Sequence, residues 1–349
     1  MNSSMGLGVV LVRGRRRVPP PPARMTARIG PTVTDGGDEL RIVCAVAARG
    51  RMVPVLGTLL AFSRPHTIIG TTLSVVAIAV LASLQTGISP GAGQVLAVLV
   101  GSVATNVFIV GLNQVTDVEI DRVNKPWLPI ASGALSMRTA RRLVWASLAL
   151  AVGLGLVAGP WALGAFLLGV AVGAVYSLPP LRLKRFALWA ALSIAGVRGL
   201  VVNLLLFVHF VTVAGAPADL PPVIVALTAI VLALSLAIAW FKDIPDMDGD
   251  RRFRVSTLTL RLGPRRVLTL GLVVLAFAYG GIIVAGLVGV PGLHGGVLAL
   301  AHVAALAVLV GASLRVDLAD RPSVARFYLV VWALFYAEYL VFPAAGLLA

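Results

Sequence analysis

Charge is what this sequence has least of. Only 12% of its 349 residues are Asp, Glu, Lys or Arg, against the ~25% of an ordinary soluble domain. Acids are scarcer still: 14 Asp and Glu stand against 29 Lys and Arg, a net charge of +15. The single cysteine, Cys44, excludes an internal disulfide framework and Cys-rich metal sites. Four histidines, His66, His209, His294 and His302, are scattered without metal-ligand spacing. No serine or cysteine stands in a nucleophile–base pattern. These absences set aside thiol, zinc and triad chemistry before any residue is given a role.

What fills the space is apolar: 59% of residues are hydrophobic and the mean hydropathy is +0.97. Apolar runs close to the ~20 residues of a spanning helix lie near 67–86, 94–115, 140–158, 161–178, 187–213, 221–241, 267–289, 293–314 and 324–346. A soluble domain would leave most of them with nothing to bury against. The expected fold is all-α, a polytopic membrane bundle of about nine transmembrane helices in residues 56–349. Residues 1–55 differ: they are basic and rich in Pro, Gly and Arg, and lack a cleavable signal core. They are expected to be a mostly disordered tail, either a basic arm on anionic lipid or sequence ahead of a later start at Met25 or Met52.

The basic residues sort by side. Nine arginines lie in residues 1–52, and Arg122, Lys125, Arg182, Lys184, Arg185, Lys242, Arg251, Arg315 and Arg321 fall in alternate loops. The intervening loops, near 87–93, 159–160, 214–220 and 290–292, hold no Lys or Arg. This alternation follows the positive-inside rule. It accounts for the net charge without nucleic acid as a partner, and it expects a cytoplasmic N-terminus and a C-terminus on the opposite side.

Against that scarcity, two acidic clusters stand out, both on the side expected to be cytoplasmic. In "NQVTDVEIDR", Asn113, Asp117 and Asp121 recur at i, i+4 and i+8, one helical face with ~20° of drift per heptad. Glu119 points elsewhere and is expected to be a bystander. In "KDIPDMDGD", Asp243, Asp246 and Asp250 recur at i, i+3 and i+7, with Asp248 off the face. A carboxylate at a helix end is ordinarily a solvated cap. Two acid faces at one membrane edge fit something more specific: Mg²⁺ is usually held by one or two carboxylates plus substrate phosphates, and two such faces suit a diphosphate between metal ions. Lys184 and Arg185 in "YSLPPLRLKR", with Arg122 and Lys125, supply cations for the same anion.

These motifs resemble the paired Asp-rich motifs of the UbiA-type intramembrane aromatic prenyltransferases, and within them the homogentisate branch. "NKPWLPIASG", "VYSLPPLRLKR", "VRGLVVNLLLFVHF", "STLTLRLG" and "FYAEYLVFP" follow in the family's order, and the resemblance covers about residues 60 to 345. It implies a helical bundle around a central cavity that opens sideways to lipid. It implies Mg²⁺ held by Asp117, Asp121, Asp243, Asp246 and Asp250, with Asn113 completing the first set. Tyr176, Lys184 and Arg185 would help bind diphosphate, with Arg122 and Lys125 in support. Arg64 and His66 in "SRPHT" would meet the acceptor's carboxylate or phenol, Arg64 being equally a flanking topogenic charge. Arg198 and Asn203 lie inside an apolar span, where a buried Arg needs a partner; they either line the cavity or knit helices, and Glu338 poses the same choice.

The implied reaction moves a phytyl, geranylgeranyl or longer chain from a prenyl diphosphate to homogentisate, with loss of CO₂. It gives a methyl-prenyl-benzoquinol of the tocopherol or plastoquinone type. Other acceptors in the superfamily, such as 4-hydroxybenzoate, a naphthoate or a chlorophyll precursor, share the Asp-rich logic. A cation-coupled transporter is the rival from another class, but its acids would sit near midplane on broken helices rather than beside basic residues at the edge.

Overall fold

The structure, a computed structural model, describes residues 53–349. The expected tail, with Cys44 and the alternative starts Met25 and Met52, lies outside the described residues. The described chain opens on a helix, Val53–Ser63.

Nine helices among the described residues are long and apolar enough to span a bilayer: α1 Pro65–Thr86, α2 Ala92–Thr116, α3 Met137–Ala158, α4 Pro160–Ser177, α5 Ala187–Val213, α6 Pro222–Phe241, α7 Pro264–Val288, α8 Gly295–Ser313 and α9 Arg321–Leu347. Their ends fall within three residues of the runs read from sequence. Local signals set those ends. Pro opens the first turn of α1, α4, α6, α7 and α9, where its missing N–H is no loss. Ser136 caps α3 by accepting the Thr139 N–H at 3.1 Å. Among the described residues there is no strand; one isolated bridge joins Phe186 to Ser256.

Contacts close the helices into a ring. α1 packs on α2 and α9, α2 on α4, α4 on α5, α5 on α6, and α6 on α9. α3 rests on α2 and α4; α7 and α8 pair beside α6 and α9. α6 is the most buried helix, with Ile224, Leu227, Val231 and Leu234 all fully enclosed. The outer helices present Trp145, Phe277 and Leu300 outward. Such an apolar exterior needs lipid, and helices suit it because their backbone groups are satisfied internally. The chain is an integral multi-pass membrane protein.

Local winding and a buried pair shape two helices whose side chains meet inside the ring, α5 and α9. α5 is not α-helical throughout: Gly196–Leu205 is wound as a π-helix. Such turns rotate the residues they carry and are frequent at functional sites. Gly199 in that turn lies so close to α6 that a Cβ would come within 2.6 Å of the Leu232 side chain. α9 is held from outside by the buried pair. Glu338 Oε2 lies 3.0 Å from His302 Nε2 of α8, and the other ring nitrogen of His302 donates to the Leu298 carbonyl at 2.7 Å. Glu338 therefore knits helices, paired with a histidine. Removing one member of a buried pair costs about 3–5 kcal/mol. Glu338→Ala is expected to lower the melting temperature sharply, and the double replacement His302→Leu with Glu338→Leu to recover most of the loss. Equal destabilisation by single and double variants, measured in detergent, would show that the pair does not hold α9.

Candidate functional site

The ring encloses a cavity of about 280 Å³. It is lined from α1, α2, α4, α5, α6 and α9 and by the loops at one end of the bundle; α3, α7 and α8 contribute nothing. Both acidic motifs stand at that end. The first continues from α2 into a short helix, Val118–Asn124, after a break at Asp117. The second follows α6 and runs into the short helix Met247–Arg252. The two short helices pack against each other.

One backbone approach joins them. Asn124 Oδ1 accepts the Gly249 N–H at 2.9 Å, and a Cβ on residue 249 would sit 2.3 Å from that same oxygen. A Cβ there would force the Asn124 amide to turn and give up this bond. Gly249→Ala is therefore expected to push the two motifs apart, lowering kcat/KM by about 10–100-fold with little change in melting temperature. An alanine variant of parental activity would show that this contact does not set the site.

The acids divide into two kinds. Asp117, Asp243 and Asp246 each hold a cation. Asp117 Oδ1 takes Lys184 at 2.5 Å and Arg182 at 2.9 Å, while its Oδ2 accepts from Asn113 at 2.8 Å. Asp243 holds Lys242 at 2.9 Å, and Asp246 holds Lys125. Asp121 and Asp250, the last acids of the two motifs, are different. Both are buried, and neither accepts a hydrogen bond from a cationic side chain among the described residues; Asp250 has only a long 3.5 Å contact from Asn124. Burial, more than Arg64 and Lys125 can offset, pushes Asp121 up to about 6, with Asp117 and Asp246 adding to the rise. Burial, then the charges of Asp243 and Asp246, pushes Asp250 up to about 7. Burial also raises Asp243, and draws the Lys184 ammonium below its ordinary range despite Asp117.

Buried carboxylates with no bonded cation at a cavity mouth are the kind of group that clusters at functional sites. The donor set is all oxygen, from five aspartates and Asn113, which suits a hard divalent ion. Among the described residues no three His, Cys, Asp or Glu side chains converge into a metal site of their own. An ion held here by one or two carboxylates would have to complete its shell from phosphate. The residues fit such a group.

Most of the expected site residues line this one cavity: Arg64, His66, Asn113, Asp117, Asp121, Lys125, Tyr176, Lys184, Arg198, Asp243, Asp246 and Asp250. Three do not. Arg122 turns out to an exposed pair with Glu119 at 2.7 Å. Arg185 does not reach the cavity wall. Asn203 is fully buried and accepts from the Tyr339 hydroxyl at 2.9 Å, tying α5 to α9. Asp248, as its spacing implied, points out and pairs with Arg321. Sequence reasoning missed Lys242, which lines the cavity, Asn124, and Arg182. Lys242 sat in the quoted motif next to Asp243. Arg182 adopts a left-handed backbone, φ 41°, and so does Arg64, φ 54°. That conformation is uncommon outside glycine and has no sequence signature here.

Deeper in, the lining turns apolar and aromatic. Phe166, Ile194, Val197 and Leu206 face Trp332, Phe335 and Tyr339 of α9. The His66 ring meets Trp332 edge-on at 5.0 Å, and the Tyr336 hydroxyl donates to the His66 carbonyl at 2.7 Å.

Residues 72–337 match the model of the UbiA prenyltransferase family. The chain is 45% identical to a homogentisate phytyltransferase of Synechocystis sp., over 81% of this chain and 94% of that protein. It is 39% identical to homogentisate phytyltransferase 1, chloroplastic, of Arabidopsis thaliana, over 81% of this chain and 73% of the relative. Among solved structures, a UbiA homolog from Archaeoglobus fulgidus bound to DMAPP and Mg²⁺ superposes with a TM-score of 0.59 at 19% identity, covering 82% of this chain and 99% of that one. That likeness carries the fold.

Proposed function

The chain belongs to the UbiA prenyltransferase family, and we propose that it transfers a prenyl group from an allylic prenyl diphosphate to homogentisate with loss of CO₂. The observation that carries this reading is the pair Asp121 and Asp250, one from each motif, buried without a cationic hydrogen-bond partner among the described residues at the mouth of one cavity. The identity to homogentisate phytyltransferases supports the acceptor.

Asp117, Asp121, Asp243, Asp246 and Asp250, with Asn113, would hold Mg²⁺. When bound, the metal neutralises the diphosphate and makes it a better leaving group. Lys184, Arg182, Lys125 and Lys242 stand beside the same acids and would supply charge-assisted hydrogen bonds to the phosphate oxygens. The carbon–oxygen bond of the allylic diphosphate breaks, and its electrons leave with diphosphate. Phe166, Ile194, Val197 and Leu206 keep water from the allylic cation. An electron-rich ring carbon of the dihydroxyphenylacetate attacks that cation. The acetate carbon–carboxyl bond then breaks, releasing CO₂, and the proton displaced from the ring is balanced by the one that completes the new methyl group. No protein nucleophile is needed. The distribution of Lys and Arg supports a cytoplasmic position for the acidic end, and so for substrate entry.

A matrix of donors and acceptors tests the reading. Purified protein with Mg²⁺ is expected to release diphosphate with phytyl or geranylgeranyl diphosphate and homogentisate, and to form a prenylated methyl quinol. Failure to turn over any aromatic acceptor would overturn it.

A further inference from the structure

Arg198 is the one cavity-lining cation that neither acidic motif explains. It sits on the π turn of α5, eleven residues and roughly 16 Å along the helix from its acidic-end start. It makes no hydrogen bond or ion pair with any described residue, and its Nη1 is buried without a partner. Two of the tyrosine hydroxyls near it are engaged elsewhere: Tyr339 on Asn203 and Tyr336 on the His66 carbonyl. Its guanidinium lies instead on aromatic faces, 4.6 Å from the Trp332 ring centroid and 5.8 Å from that of Phe335. A cation–π contact is a small return for burying a charge in a membrane span. The site wants an anion, and its walls want a flat ring.

We propose that Arg198, carried on the π turn of α5 and laid against Trp332, is the receptor for the carboxylate of the aromatic acceptor. The proposal rests on the reading of an aromatic acid as acceptor. Diphosphate is the weaker occupant here, because Lys125, Arg182, Lys184 and Lys242 already gather at the acids. Arg64 stands between the two ends: its charge reaches Asp121 and also His66, on which Arg198 acts as well. A planar guanidinium can grip a carboxylate with two parallel N–H donors, while Trp332, Phe335 and the edge of His66 border the ring. The charge then selects acceptors that carry a carboxylate, and the π turn, with Gly199 against Leu232, fixes where that carboxylate lies.

The test compares homogentisate with 2-methylhydroquinone, the same ring without the carboxyl group, in the parent, Arg198→Gln and Arg198→Lys. Truncating one side of a desolvated charge pair is expected to lower the homogentisate-to-methylhydroquinone ratio of kcat/KM on the order of 100-fold in Arg198→Gln. The KM for prenyl diphosphate should stay within about threefold. Arg198→Lys keeps the charge but not the fork and should fall between. Equilibrium binding of labelled homogentisate to protein loaded with Mg²⁺ and diphosphate gives a second readout, lost in Arg198→Gln and partly kept in Arg198→Lys. An unchanged ratio and unchanged binding in Arg198→Gln would overturn the proposal while leaving homogentisate as acceptor. A parent that uses 4-hydroxybenzoate instead of homogentisate would overturn the acceptor, yet Arg198→Gln should then lose that acid in the same way.

Discussion

Asp250→Asn is expected to reduce prenyl transfer by at least about 10³-fold and to leave the metal-free protein as stable as the parent, or more so. Asp121→Asn should do the same. Both effects have one cause. Each carboxylate is buried with no cation bonded to it among the described residues, so its charged form is held at a cost to the fold that a divalent ion would offset. The ordinary Asp value is 3.8, and these two stand at about 6 and about 7. Between pH 4 and 7 the folded state therefore binds more protons than the unfolded state, and stability falls as pH rises. The melting temperature of the metal-free parent should drop from pH 5 to pH 8, and the asparagine variants should show a shallower drop. Activity runs the opposite way. Protons and metal compete for the same oxygens, so at limiting Mg²⁺ the parent should lose activity as pH falls through 7 and then 6, and excess Mg²⁺ should move that loss to lower pH. An asparagine variant that melts earlier than the parent at pH 8 would mean the charges stabilise the fold.

Lys184→Met carries the second large effect. Lys184 is almost fully enclosed and sits on Asp117, and Arg182 and Asn113 remain on that carboxylate when it is gone. The fold should survive. What is lost is a compact ammonium aimed at the place where diphosphate charge develops, and removing one such donor costs about 10²–10³-fold in kcat. The loss should appear with prenyl diphosphate as the varied substrate, with the homogentisate KM little changed. Lys184→Arg should recover only part, because the larger planar group does not fit the space of an ammonium. Comparable losses in the KM of both substrates would point to a general collapse of the site.

Much of this was legible in the chain. The nine spans could be placed because lipid demands about twenty apolar residues in a row, and little else in a sequence looks like that. The acid faces were legible because helical spacing carries across Asn113, Asp117 and Asp121, and Glu119 and Asp248 fall off those faces as their positions imply. What spacing could not supply was direction at the loops. Arg122 follows Asp121 directly, and one residue on a helix is about 100° of rotation, so it turns out to solvent. Lys125 finds Asp246 across the site because two short helices meet at Gly249, a tertiary fact. Asn203 looked like Arg198, a polar residue in an apolar span. Both lie on the π turn and both meet α9, but Arg198 lines the cavity while Asn203 is enclosed in an interhelical bond with Tyr339. That winding has no mark in the sequence beyond two glycines, Gly196 and Gly199.

The most direct test tracks the carbon that must leave. Homogentisate labelled at its carboxyl carbon, given to the purified protein with Mg²⁺ and phytyl diphosphate, should release labelled CO₂ and diphosphate in equal amounts, matched by one unlabelled methyl-phytyl quinol. Diphosphate released with the label retained in the product, or without any prenylated product, would contradict the account.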